Sequence, residues 1–166
     1  MSRNVTGCDR EVLFVAAMLH DMALFDPFDA HAADFEVASG AIGTIVATAL
    51  GWDRQRSRRV AEVIEAHMGD APDPGIAPEG FVLEAATAAD VGGRDLDLWD
   101  ADELRTLESH FPRHGFADCF GSAIAQQSAR KPGSAAAALH ASGRIHTGDR
   151  VWDRLLPTGG YRSRGL

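Results

Sequence analysis

Residues 15–24 read VAAMLHDMAL, and inside this apolar run a histidine and an aspartate stand side by side, His20 and Asp21. Two further ionisable groups interrupt apolar segments downstream: His67 in VIEAHMG and Asp90 in ATAADVGG. One imidazole with two carboxylates is a donor set for a borderline divalent ion such as zinc, iron or manganese, and a poor one for calcium or magnesium. Each residue also has a plainer role. A lone histidine on an apolar face is ordinarily a hydrogen-bonded core residue. Asp90 could cap the turn before Gly92 and Gly93, and an adjacent His-Asp pair is common by chance. Taken together, in order on successive helices, they point to a metal site.

Their placement supports that reading. All three positions fall at or near the C-terminal ends of expected helices, where side chains can converge without burying charge mid-helix. Unsatisfied carbonyls give such ends a mild negative potential, which disfavours isolated aspartates and favours a cation. Neighbouring residues on a helix point about 100° apart. His20 and Asp21 can therefore share one ion only at a helix edge.

The elements that must position these residues are helical. The first helix is expected over 11–23, with Thr6 and Asp9 ahead of it in a capping arrangement. Residues 24–33 form a loop around Pro27, a second helix runs over 34–50 to stop at Gly51, and Asp53 caps a third through His67. On that third helix Val60, Val63, Ile64 and His67 share one face. The Gly- and Pro-rich segment 69–80 is a loop. A fourth helix over 79–90 ends at Gly92 and Gly93, Asp100 and Glu103 open a fifth that ends before Pro112, and a sixth spans 115–130. Two short helices follow, one in GSAAAALHASG and one over 149–156. With no alternating β-branched runs, the fold class is all-α, a single-domain helical bundle.

Composition narrows the partners. The chain has 166 residues, 45% of them hydrophobic, and a net charge of −8, so one domain with a substantial core is expected and binding to nucleic acid is not. Its basic clusters, RQRSRR at 54–59 and YRSRG at an end expected to fray, are short. Apolar stretches break well before a membrane span, and residues 1–7 carry no secretory pattern. Cys8 and Cys119 are far apart and form no CxxC, which suits free thiols in a reducing, cytoplasmic setting.

The segments DREVLFVAAMLHDMAL, DFEVASGAI, VIEAHM, AADVGG, FPRHGFADCF and ARKP, in that order over residues 9–132, resemble the HD-domain superfamily of metal-dependent hydrolases, and within it the cyanamide hydratase-like branch. The resemblance implies an HD-type bundle over 1–132, a C-terminal helical extension and tail over 133–166, and one divalent transition metal ion, zinc first and iron or manganese after it. His20 and Asp21 match the family's central metal-binding pair and Asp90 its later metal-binding aspartate. His67 matches a pocket histidine that serves catalysis by binding substrate or moving a proton. Phe35, Phe111 and Phe116 match structural signatures and are expected to pack. The family's first ligand, a histidine on a preceding helix, has no counterpart, because no histidine precedes His20 and CDREVL already matches the start of the second helix. A truncated start, a natural short form, His31, His140, His146 or a residue of a second subunit would account for the gap. A bundle without that helix exposes apolar surface, so a homodimer is expected.

The implied chemistry is attack by water activated on the ion, whose pKa falls from about 15.7 toward about 7. The hydroxide adds to the carbon of a nitrile-type small molecule, with His67 moving the proton, and yields an amide or a urea. Phosphate-ester hydrolysis, as in other members of the superfamily, would need extra cations such as Arg58, Arg59, Arg94 or Lys131 near the site. A degenerate, non-catalytic domain for ligand binding or assembly is the remaining reading, favoured by the missing histidine.

Overall fold

The computed structural model describes residues 5–156, and every regular element among them is helical. The helices are α1 (Arg10–Leu19), α2 (Phe35–Ala49), α3 (Arg54–Ala66), α4 (Pro78–Gly92), α5 (Ala101–His110), α6 (Phe116–Arg130), α7 (Ala135–Ser142) and α8 (Arg144–Leu155). The architecture is an all-α bundle. The YRSRG cluster lies outside the described residues.

Helix starts follow local chemistry. Asp53 and Asp100 cap α3 and α5 with their side chains, and α4 opens on a proline, whose missing N–H is no loss there. At α1 the cap is Asp9 alone, accepting from the N–H groups of Glu11 and Val12, so Thr6 is not needed. Two boundaries differ from the sequence expectation. Helix α8 begins at Arg144 rather than at 149, and α1 ends at Leu19 rather than at 23. After His20 the backbone leaves helical geometry at Asp21 (φ −108°, ψ 8°), and a one-turn 3-10 segment, Met22–Leu24, follows. That turn puts Ala23 and Leu24 into the core, and the Ala23 N–H donates to Ser39 Oγ on α2. The apolar residues that suggested continued helix are buried by the bend instead.

Helices α1, α3 and α4 run in the same direction, and charge ties their N-terminal ends together. The Arg56 guanidinium, in the first turn of α3, donates to both carboxylate oxygens of Asp9 at 2.9 and 3.0 Å and reaches Glu11 at 2.6 Å. Arg59 pairs with Glu79 of α4 at 2.9 Å. The other oxygen of Glu79 accepts the Asp9 backbone N–H at 2.6 Å. Arginines at a helix N-terminus oppose the helix dipole, and the acidic partners offset that cost. Two arginines of the RQRSRR cluster, Arg56 and Arg59, are thus committed to this clamp. Behind it, Val12 and Ala16 of α1, Ala47 of α2, Val60, Val63 and Ile64 of α3 and Leu83 of α4 form one buried cluster. Gly43 of α2 permits the tightest approach there, since a Cβ would sit 2.8 Å from Val60 Cγ1 and 2.9 Å from Ile64 Cδ1.

A second cluster joins the Ala23–Leu24 turn and Phe35 to α6, α7 and Ile145 of α8. A third joins Ala89 of α4 to Leu96, Leu104, Trp152 and Leu156. Helix α8 lies so close to the end of α4 that a Cβ on Gly148 would run into the Val91 carbonyl oxygen and lie 2.8 Å from the Gly92 carbonyl carbon. Residues 135–156 therefore complete the packing around the end of α4.

The clamp predicts an acid dependence. Burial opposes ionisation of Glu79, but the Asp9 N–H and the Arg59 guanidinium outweigh it and hold the carboxyl below the usual carboxylate range. A carboxyl depressed on folding contributes stability that is present above its unfolded value and lost as pH falls through the folded one. Glu79→Gln should cost about 1.5–3 kcal/mol near neutrality, the range for a hydrogen bond to a charged group. Denaturant titrations of the two proteins should begin to converge as pH falls below about 4.3, the unfolded value, and meet once it is below the folded one. A gap that persists undiminished in acid would show that the charge of Glu79 is not what holds the helices.

Candidate metal centre

The clamped helices end together at the opposite side of the bundle. His20 is the C-cap of α1 and His67 the C-cap of α3, while Asp90 lies in the last turn of α4. Because the chain bends at Asp21, that carboxylate leaves the helical direction and lies between the two imidazoles. His20 Nε2 is 3.3 Å from Asp21 Oδ2, and His67 Nε2 is 3.7 Å from Asp21 Oδ1. The ligand atoms of His20, Asp21 and His67 all lie within 4.8 Å of one another. The two rings meet edge to face at 5.0 Å, and Phe35 packs against the far side of His67 at 5.9 Å.

Both histidines are fixed in the same way. His20 Nδ1 bonds the Ala17 carbonyl at 2.8 Å, and His67 Nδ1 bonds the Ile64 carbonyl. A carbonyl can only accept, so each Nδ1 carries a proton, and in the neutral ring Nε2 presents a lone pair. This carbonyl contact is the usual outer support of a metal-binding imidazole. Two lone pairs then face a carboxylate, and Asp21 Oδ1 is buried with no hydrogen-bond partner among the described residues. Three acceptors turned toward one point repel one another unless a proton or a cation lies among them.

The electrostatics agree. Burial pushes the His20 imidazolium down, but Asp21, the Ala17 carbonyl and Asp90 outweigh it and leave the group above its ordinary value. At His67 burial prevails over the Ile64 carbonyl and Asp21, with His20 adding to it, and holds the ring below its ordinary value. A neutral His67 is the form that binds a metal or accepts a proton.

Asp90 stands beside this group without joining it. Its Oδ1 accepts from Arg113 Nη1, and Oδ2 takes no hydrogen bond among the described residues. Burial raises its carboxyl above the usual range, against the opposing pull of Arg113 and His20. Arg113 comes from the loop between α5 and α6. Its guanidinium is 4.5 Å from the Phe116 ring centroid and 4.8 Å from that of Trp152, so it has little freedom to move. The Trp152 indole donates to the carbonyls of Ala89 and Asp90 at 3.2 and 2.9 Å. The Asp90 carbonyl belongs to the last turn of α4, where carbonyls lack helical partners, whereas that of Ala89 also accepts the Gly93 N–H at 2.9 Å. Arg113 thus holds the Asp90 side chain and Trp152 its backbone.

The sequence reading missed both of these residues. Arg113 lies within FPRHGF, where only the phenylalanines match structural signatures, and Trp152 lies in a stretch where the sequence indicates a short helix and nothing more. Phe35 and Phe116 do pack, whereas Phe111 is 74% exposed because α5 ends before it could reach the core. His31, His140 and His146 are exposed and outside the three-residue group.

A cavity of about 320 Å³ opens over the group. Beyond His20, Asp21 and His67, its lining includes the apolar Met68, Val91, Phe120 and Leu139 and the charged Glu84, Arg94 and Arg144. Of the cations considered for a phosphate, only Arg94 lines it. Arg58 is exposed elsewhere, Arg59 is committed to the clamp, and Lys131 donates to the Ala30 and Ala33 carbonyls. No described helix is long and apolar enough to cross a membrane.

No family model matches the chain. Two curated proteins of Saccharomyces cerevisiae do: cyanamide hydratase DDI2 and cyanamide hydratase DDI3 are each 31% identical to it over 126 residues, 75% of this chain and 56% of theirs. The chain is a relative of the cyanamide hydratases. It spans little more than half the length of these relatives. The cyanamide hydratase-like resemblance in the sequence is thus borne out, on an all-α fold.

Arg113→Ala would release the Asp90 carboxylate while sparing the three-residue group. Loss of an outer-shell partner weakens metal binding about 10–100-fold, and we predict a loss in that range for zinc, measured by competition with a chelator, with partial recovery in Arg113→Lys. Unchanged affinity in Arg113→Ala would remove Asp90 from the site's energetics.

Proposed function

We propose that His20, Asp21 and His67 hold a divalent transition metal ion, zinc in the first instance, with Asp90 as a further oxygen donor, and that the protein hydrates a nitrile-type small molecule. One observation carries the proposal: Asp21 Oδ1, buried and unpartnered, faces the lone pair of His67 Nε2. The donor chemistry fits such an ion: two imidazoles oriented through Nδ1 by backbone carbonyls, with a carboxylate between them. The proposal keeps His20, Asp21 and Asp90 in the roles that the resemblance implies. It moves His67 from proton transfer to metal holding. Relatedness to the cyanamide hydratases supports the reaction class.

An ion held by His20, Asp21 and His67 would supply an acidified water and a Lewis acid, which is the chemistry that hydration of a nitrile requires. The residues supply the rest. Ala17 and Ile64 keep protons on Nδ1 of the two histidines and leave Nε2 free. Arg113 occupies one oxygen of Asp90 and leaves the other open. Met68, Val91, Phe120 and Leu139 give the cavity an apolar wall that excludes bulk water from the reacting carbon. In net terms water adds across the C–N triple bond: its oxygen bonds to carbon, both of its protons end on the product, and cyanamide yields urea.

Metal analysis of purified, zinc-supplemented protein should give close to one equivalent. Asp21→Ala and His67→Ala should each retain less than roughly a tenth of it, because only two of the three grouped donors would remain, and Asp90, held by Arg113, lies beside the group rather than in it. Full metal in His67→Ala with turnover lost would return His67 to proton transfer, and full metal in Asp21→Ala would refute the site. Chelator-treated protein should lose cyanamide hydration, followed as urea formed, and regain it on adding zinc back. Turnover that survives complete removal of metal would overturn the mechanism.

A further inference from the structure

We infer that the cavity takes a nitrile larger than cyanamide, one with an apolar body and a singly charged carboxylate end that docks on Arg144. The inference rests on the hydration reading above and names its substrate class.

Size is the first argument. Cyanamide has three non-hydrogen atoms, whereas a cavity of about 320 Å³ falls within the roughly 300–1,000 Å³ of pockets that hold drug-sized molecules. A substrate anchored only at His20, Asp21 and His67 would leave most of that space to water. The apolar wall of Met68, Val91, Phe120 and Leu139 suits a hydrocarbon or aromatic body.

Charge is the second. Arg94 and Arg144 both line the cavity, but they are not equivalent. Arg94 follows the Gly93 cap, whose left-handed backbone (φ 68°) turns it back along α4 onto Glu84. It spends Nη1 and Nη2 on the two Glu84 oxygens at 2.8 and 2.6 Å, and Glu84 is buried, so the pair is neutral in sum. Arg144 has no carboxylate partner among the described residues. Its Nε donates to Ser142 Oγ at 3.2 Å, and the same hydroxyl accepts the Arg144 backbone N–H at 3.2 Å. The stem of the side chain is thereby oriented while both Nη groups stay available. A guanidinium presents a planar fork that matches a carboxylate. One uncompensated cation calls for a monoanion, and a phosphate dianion would need a second.

The test compares a matched pair, 4-cyanobenzoate and 4-cyanobenzamide, on the zinc-loaded full chain, by calorimetric binding and by KM for amide formation. The carboxylate should bind better, with KM lower by about tenfold. Arg144→Ala should remove that preference, and Arg144→Lys should restore part of it. Arg144 is exposed on the first turn of α8, so neither substitution disturbs the core. Hydration of both nitriles at equal KM would overturn the subsite and leave the hydration reading standing. A calorimetric preference for the carboxylate that vanishes in Arg144→Ala, with no nitrile hydrated, would uphold the subsite and sink the hydration reading. A preference that survives Arg144→Ala, or phenyl phosphate binding more tightly than 4-cyanobenzoate, would overturn the assignment.

Discussion

The structure depends on three helices that point the same way. Parallel packing of α1, α3 and α4 sets like dipole ends against each other, which is unfavourable at both ends unless charge intervenes. At the N-terminal end the intervening charges are carboxylates, Asp9, Glu11 and Glu79, with Arg56 and Arg59 tying them together. At the C-terminal end the same logic demands positive charge, and what gathers there is His20, Asp21, His67 and Asp90. Their arrangement, lone pairs and carboxylates turned inward, is the arrangement a cation would satisfy.

Support for that end comes from parts of the chain remote in sequence. Arg113, held against two aromatic rings, takes one oxygen of Asp90, and Trp152 takes up the Asp90 carbonyl that the end of α4 leaves open. Gly148 lets α8 approach closely enough for the indole to reach. Packing and site are therefore not separable here. The third hydrophobic cluster, which joins Ala89 to Trp152, is also what orients the last turn of α4.

Much of the helical framework could be read from the chain, because helix limits are set by local rules. Asp53 and Asp100 announced their helices, and Gly51 and Gly93 ended theirs. The error at α1 is instructive. Met22 and Ala23 fit a helical hydrophobic pattern as well as they fit the 3-10 turn that bonds Ser39. Periodicity alone does not separate the two, since both bury the same side chains.

The sequence by itself determined the donor types, their order and their place at helix ends. That followed from residue identity and from capping chemistry, which act over a few residues. Only the tertiary structure decided the grouping: His67 rather than Asp90 lies with His20 and Asp21, and Asp90 goes to Arg113. Those outcomes depend on the bend after His20 and on where the loop before α6 and the helix α8 come to rest. Both are set by packing between residues dozens of positions apart, and no local pattern records them.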